Sequence, residues 1–421
     1  MGDQHGQPQR KVRRDRRREL RKIRASKHTH RFIRATVGNY LKWRFRTFPE
    51  NAELVHTLKP PYLIMGNHGS MWDPFMLNAH VPAPIHYVVS DSNFRSRLVS
   101  FGLSLVGSIP KTKALSDFET VKNIVRIKHR GGIIGVFPEG QSTWDGHSLP
   151  IYYSTAKLVK SLKVPVVIVE LKGAFLSLPR WARSIRRGRV HIEYKLGFTP
   201  EQLKDMTVPQ VYEQLVRLLS HDDFDYQRKA MIRFGGRRRA EYIEAVLFTC
   251  PTCERRHTLR SAGNLLRCRA CGYTVRYGPY GFFRPVSGTL RFEDLRAWNV
   301  WQIERFKAYL DGHGAAGVPL MREEVADLSR GFKSMPLQTV GRGRLELYPE
   351  EVRFIGSDGT WTFPLHEIEG ANIQNGEPLE FYFRGDLYRV RIPSPRGNTY
   401  KWLLGLDHLQ GKAVLETVDA S

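Results

Sequence analysis

The sequence predicts an α/β domain, with a mostly parallel sheet and flanking helices, followed by a small cysteine-bound unit and a small antiparallel β domain. Three observations carry this. Residues 61–205 alternate strand-like and helix-like patches, the signature of a parallel sheet with helical crossovers. All four cysteines fall into two Cys-x-x-Cys hooks, Cys250/Cys253 and Cys268/Cys271. From about Val340, short alternating runs are separated by Gly, Asp, Asn and Pro turns. A chain of 421 residues has room for two to four domains. Its 41% apolar and 25% charged residues exclude wholesale disorder. The most apolar runs, 131–137 and 164–169, are strand-sized, so no transmembrane helix is expected, and the basic N-terminus lacks the apolar core of a secretory signal.

Sixty-six Lys and Arg against 41 Asp and Glu give a net charge of +25, which attracts nucleic acid, anionic lipid headgroups or phosphorylated substrates. Residues 1–46 alone carry 16 basic and 3 acidic residues, about half of the excess.

In chain order, residues 1–30 form a basic arm with too few apolar residues to fold alone, so disorder or a frayed helix is expected. From Arg31, Phe32, Ile33, Val37, Tyr40, Leu41 and Trp43 recur at near-helical spacing and predict a basic amphipathic helix that opens a domain of residues 31–205. Its apolar face can pack on the domain, dock on a membrane, or do both. Tyr62–Met65 reads as a strand. A helix is expected over Asp117–His129, with Ser116 and Glu119 as a capping box and Gly131 at its end. Ile133–Phe137 follows as a strand, Thr155–Leu162 as a helix, and Val164–Val169 as a strand buried on both faces. Residues 206–247 read as a helical connector with a basic break at Gly235–Arg239, and 286–335 as a helical linker with one helix over Phe292–Leu310. The β domain, 340–410, shows runs at Leu345–Tyr348, Val352–Ile355, Trp361–Leu365, Leu379–Phe383 and Leu387–Ile392, then a helix near Tyr400–Leu406. This order fits a pleckstrin-homology-like barrel.

The segment Tyr62–Pro74 places His68 just beyond a strand and Asp73 before a proline. Asp-Pro signals a helix cap, and the loop is just long enough for the Asp73 carboxylate to orient the His68 ring, which makes His68 a candidate general base. In Gly132–Gly140 a second strand ends at Glu139; if both strands are parallel members of one sheet, His68 and Glu139 emerge at the same carboxyl edge, where ligands of open α/β sheets bind. Between them, Gly107–Lys113 ends in Lys111 and Lys113, two charges able to hold a phosphate.

In this order and at these separations the segments resemble the glycerolipid acyltransferase family typified by 1-acylglycerol-3-phosphate acyltransferase. Asn67, His68 and Asp73 match its Asn-His-x4-Asp block in full. Gly107, Ile109 and Pro110 match its Gly-x-Ile-Pro block, with Lys113 where the family has arginine, which keeps a point charge but loses the bidentate fork. Phe137–Gly140 matches Phe-Pro-Glu-Gly, after which Gln141-Ser142 replaces the usual Thr-Arg and leaves acceptors beyond lysophosphatidic acid open. A looser block is met by Val164, Pro165 and Val166, and the resemblance covers about residues 40–205. It implies acyl transfer from acyl-CoA or acyl-carrier protein to the hydroxyl of a lysophospholipid, with His68 as base, Asp73 orienting it and no acyl-enzyme. Amides near Gly140 or Gly69 would hold the oxyanion, and Glu139 would order the loop or position the acceptor. Asn67, Gly140, Lys111 and Lys113 complete the expected substrate-binding set.

The two cysteine hooks stand fourteen residues apart with no cysteine left over. This predicts a zinc ribbon over 248–285, its metal four-coordinate and structural. Disulfide hooks are the alternative, disfavoured by a reducing cytosol. His257, between the hooks, is expected on the surface. A ribbon ringed by Arg255, Arg256, Arg260, Arg267 and Arg269 also suits a nucleic-acid-binding protein, which would explain the arm but not the His-Asp pair or the Phe-Pro-Glu-Gly turn. A non-catalytic membrane scaffold would need a missing catalytic residue. The expectation is a cytoplasmic enzyme, peripheral on the inner face of the membrane, its arm on anionic lipid with Phe32, Trp43 and Phe45 behind it, and nucleic acid not a partner.

Overall fold

The computed structural model describes residues 25–111, 118–313, 317–332, 335–374, 378–393 and 398–412. Lys113, Ser116 and most of the arm lie outside these residues. Helix α1 (Lys27–Ile33) continues through a π turn (Arg34–Gly38) into α2 (Asn39–Phe45). The amphipathic pattern is divided between two environments: Leu41 and Phe45 are buried against the domain, while Phe32, Tyr40 and Trp43 are exposed. Phe45, expected to face a membrane, is therefore a core residue.

Seven strands follow: β1 (Thr47–Glu50), β2 (Tyr62–Gly66), β3 (Ile85–Ser90), β4 (Ile109–Lys111), β5 (Ile133–Val136), β6 (Val166–Lys172) and β7 (Val190–Phe198). They form one sheet in the order β1-β7-β6-β2-β5-β3-β4. The five strands from β6 to β4 are mutually parallel, whereas β7 runs antiparallel to β6 and carries β1 beside it. The sheet is thus mixed, with its reversed strands at one edge. Alternation sorts the side chains: Tyr62 and Ile64 join one buried cluster with Leu41, Phe45 and Met76, and Leu63 and Met65 join another with Ile124, Val159 and Leu215. The helices around the sheet include α3 (Asp73–His80), α4 (Arg97–Leu105), α5 (Phe118–His129), α6 (Tyr153–Leu162), α7 (Val208–Leu219) and α8 (Asp223–Ala230). Between residues 61 and 205 the expected helices and strands are present with their described ends shifted by no more than three residues.

The connector is helical only as far as α8. Beyond it the chain is pinned rather than free: Phe234 is buried, and Gly235 exchanges two backbone hydrogen bonds with Arg187. Strands β8 (Leu259–Ala262), β9 (Leu265–Cys268), β10 (Thr274–Tyr277) and β11 (Phe283–Ser287) make an antiparallel meander around the cysteines. Residues 286–335, read as a helical linker, hold α9 (Leu295–Gly312) and then β12 (Met321–Gly331). The strand was hidden by its charges, which cross-strand partners satisfy: Arg322 with Glu346, Asp327 with Arg342, Arg330 with Asp386. It is the middle strand of a seven-stranded antiparallel sheet, β15-β14-β13-β12-β18-β17-β16, with β13 (Gln338–Leu347), β14 (Glu351–Gly356), β15 (Gly359–Pro364), β16 (Ile368–Ile373), β17 (Leu379–Phe383) and β18 (Asp386–Arg391). Helix α10 (Thr399–Leu409) packs on β16 and β17. One apolar cluster runs from Trp144 and Phe175 through Cys250, Tyr277 and Trp298 to Phe354 and Trp402, so both later sheets share a core with a loop of the first.

Candidate active site

His68 stands two residues beyond β2 and Glu139 three beyond β5, and these strands are parallel neighbours paired Tyr62 to Ile133. Their loops leave one edge of the sheet and meet. Glu139 Oε1 accepts the His68 backbone N–H at 2.8 Å, and Oε2 accepts that of Leu149 at 2.8 Å. His68 Nδ1 lies 2.8 Å from Asp73 Oδ2, which also accepts the Ser70 N–H at 2.8 Å. A carboxylate accepts, so the ring proton sits on Nδ1 and the Nε2 lone pair is left available. Phe137 stacks on the ring at 4.5 Å between centroids. Asp73 is fully buried and is the first residue of α3 rather than its cap; its carboxylate turns back to His68 and Ser70, away from the helix.

Burial pushes the Asp73 carboxyl above its ordinary range, against the pull of the His68 ring and the Ser70 N–H. Burial likewise pushes Glu139 up to about 8, with the Leu149 and His68 amides pulling the other way. Gly69 must be glycine, because a Cβ there would stand 2.8 Å from the Phe175 nitrogen. Gly140 has φ +71° and an exposed backbone beside the Tyr152 ring. Its N–H is already donated to Phe137 O at 3.0 Å, and the Gly69 N–H is engaged by Asp73. These two amides are thus engaged, and an oxyanion donor would have to come from the amides near them.

Asn67 is not in the cleft. Its Oδ1 accepts the Leu171 N–H at 2.7 Å and its Nδ2 donates to Leu171 O, so it straps β2 to β6. Lys111 ends β4, three strand positions from β2, which is about 15 Å at ~4.8 Å per strand. Its ammonium lies 5.6 Å from the centre of the Tyr152 ring, the same ring that flanks Gly140.

Several partners were not legible in the sequence. Thr143 N–H donates to His68 O at 2.8 Å, and its Oγ1 donates to His147 O at 2.6 Å. Gln141 and Ser142 supply acceptors for Arg180, whose guanidinium also donates to Ile373 O in β16 and lies 4.0 Å from the Trp144 ring centre. Trp144 stacks on Tyr400 of α10 at 4.6 Å, and Asn299 of α9 donates to Asp145 Oδ2 and to the Tyr400 hydroxyl, each at 2.9 Å. Behind Gly69, His221 lies between Glu170 (2.9 Å) and Asp223 (3.0 Å), and Asp223 accepts the Gly173 and Phe175 N–H groups.

Residues 46–172 match the family model described as acyltransferase. The matched segment holds His68, Asp73, Glu139 and Gly140 and excludes the cysteines and the β domain. A solved structure similar to the chain is the 1-acyl-sn-glycerophosphate (LPA) acyltransferase PlsC from Thermotoga maritima, 15% identical, covering 48% of this chain and 81% of that one with a TM-score of 0.40. No curated protein matches in sequence.

Outside the matched segment, the four cysteine sulfurs lie within 4.8 Å of one another, with Cys250–Cys271 and Cys253–Cys268 at 3.7 Å. All four are free thiols. A tetrahedron with metal–sulfur bonds of ~2.3 Å has edges of about 3.8 Å, so the set fits a zinc-sized ion and not two disulfides. His257 is exposed, lies 3.0 Å from the Lys401 ammonium and is not among the clustered ligand atoms. Among the described residues no helix is long and apolar enough to cross a membrane.

Proposed function

We propose that the chain is an O-acyltransferase that moves a fatty acyl group from acyl-CoA or acyl-carrier protein to the hydroxyl of a lysophospholipid, foremost 1-acylglycerol-3-phosphate. The observation that carries this reading is the His68–Asp73 hydrogen bond, which leaves Nε2 as a base at the carboxyl edge of the sheet. Nε2 takes the acceptor's hydroxyl proton as that oxygen bonds to the thioester carbonyl carbon. The tetrahedral adduct then expels the thiolate, which recovers the proton from the imidazolium. Asp73 stabilises the imidazolium between the two steps and holds the tautomer. Glu139 and Thr143 fix the His68 backbone from both sides, so the ring is aimed before substrate arrives. Lys111 and Lys113 hold the acceptor phosphate. A structural zinc in Cys250, Cys253, Cys268 and Cys271 stabilises the ribbon and takes no part in transfer. The enzyme works as a peripheral protein on the inner face of an anionic membrane.

The test is a panel of lysolipids offered with both thioester classes to purified protein, beside the His68→Ala variant. Loss of the base should lower turnover about 10²- to 10⁴-fold. A folded His68→Ala protein with near-normal turnover would sink the mechanism.

A further inference from the structure

Helix α4 has the sequence Arg-Leu-Val-Ser-Phe-Gly-Leu-Ser-Leu, and none of its nine residues is buried. Leu98 is 81% and Phe101 63% exposed, and Leu105 is exposed as well. A helix this apolar ordinarily buries one face, and nine residues are too few to be a stable helix in water unaided. Its place in the fold bears on what could cover it. α4 follows β3, so it leaves the sheet at the carboxyl edge where the His68 and Glu139 loops emerge. The same edge carries Met71 beside His68, Phe118 at the start of α5 and Tyr152 before α6, all exposed. The turn before α4 is rigidly based: Arg95 pairs with the buried Glu380 at 2.6 Å, and Ser92 bonds Gln374 at 2.8 Å.

We propose that α4 and this apolar rim lie on an anionic lipid bilayer, so that the mouth of the site faces the membrane. The inference rests on the lysophospholipid reading above, and charge selects the occupant. Arg97 is exposed at the head of α4. At its foot, Gly107 approaches the Ala25 nitrogen so closely that a Cβ on Gly107 would stand 2.9 Å from it. Ala25 therefore lies at the foot of α4, and in the sequence the 24 residues before it include ten Lys and Arg against three Asp and Glu. An apolar face with Arg97 at its head and, at its foot, the residue that follows so basic a stretch of sequence matches anionic headgroups over acyl chains. A second copy of the chain would instead bring two such arms together.

The experiment is cosedimentation of the full chain with phosphatidylglycerol-rich vesicles, comparing wild type with the double variant Leu98→Glu, Phe101→Glu. The variant should bind at least tenfold more weakly, with an unchanged thermal melt. In a Phe101→Trp variant, brominated lipid should quench emission beyond the quenching of wild type. Equal vesicle binding by the double variant, no added quenching, or a wild-type dimer that the double variant dissociates would each overturn the proposal. Because these readouts need no turnover, a chain that binds through α4 yet transfers no acyl group would sink the catalytic reading alone. Transfer with α4-independent binding would sink this one alone.

Discussion

Asp73 holds the His68 ring and Glu139 holds the His68 backbone, so the two carboxylates should fail differently when altered. Asp73→Asn removes the group that fixes the tautomer but leaves the base, and its loss of turnover should be smaller than that of His68→Ala; steady-state rates of the two purified variants check this. Glu139→Gln turns one of two acceptors into an NH₂ facing a backbone N–H. With such a mismatch costing about 1–3 kcal/mol, turnover should fall roughly 10- to 100-fold. The ionised carboxylate is the better acceptor for both N–H groups and forms only near pH 8. The wild-type rate should therefore climb as pH rises through about 8, and Glu139→Gln should lose that limb. Superimposable pH profiles would remove Glu139 from the account. His68 and Glu139 were legible in the sequence because each sits within three residues of a strand end, on strands that pair directly, and Asp73 because it precedes a proline five residues after His68. Asn67 misled because its neighbour His68 serves the cleft while its own amide straps the sheet. Arg180 and Asn299 gave no signal, because the groups to which they donate lie 38 or more positions away.

Around single elements, charge clusters set the pH range in which the loops stay ordered. Burial alone would lower His221, but Asp223 and Glu170 outweigh it and raise the imidazole to about 9. Its stabilising contribution is complete below the ordinary value of 6.5 and is lost as pH rises through 9. Glu170 resists burial through His221 and Lys195 and falls to about 2, so its contribution holds above 4.5 and is lost as pH drops through 2. Denaturant unfolding of wild type minus His221→Gln should show a difference that is largest between about pH 4.5 and 6.5 and shrinks toward 9.5. A constant difference would refute the assignment. The ribbon is a second such element: the protein should bind one zinc per chain by metal analysis, and Cys250→Ser should lower both zinc content and the melting temperature. The hooks were legible because ligand spacing is local. Strand β12 was not, since its charges are neutralised by partners on β13 and β18 that only the folded sheet supplies.

Across the whole molecule, the loop that carries Glu139 is braced by the C-terminal half. Asn299 is fully buried and serves Asp145 and Tyr400 together. Asn299→Leu should leave both without that donor, at a cost of roughly 1–3 kcal/mol for each buried group, seen as a lower melting temperature with turnover lost in parallel. Unaltered melting would mean that the brace contributes nothing. The order of domains could be read from composition, but their dependence on one another could not, because Trp144 gives no hint in sequence that its ring partner is Tyr400.

That stacking also bears on manufacture. Translation at ~5–20 residues per second takes roughly 13 to 50 seconds to pass from the Asp145 codon to that of Tyr400. Throughout that interval the His68 loop exists without its far support, so a chain stalled on the ribosome short of Tyr400 should lack the transfer activity that the same chain shows once extended through α10. An acyltransferase built this way would be born inert and armed by α10.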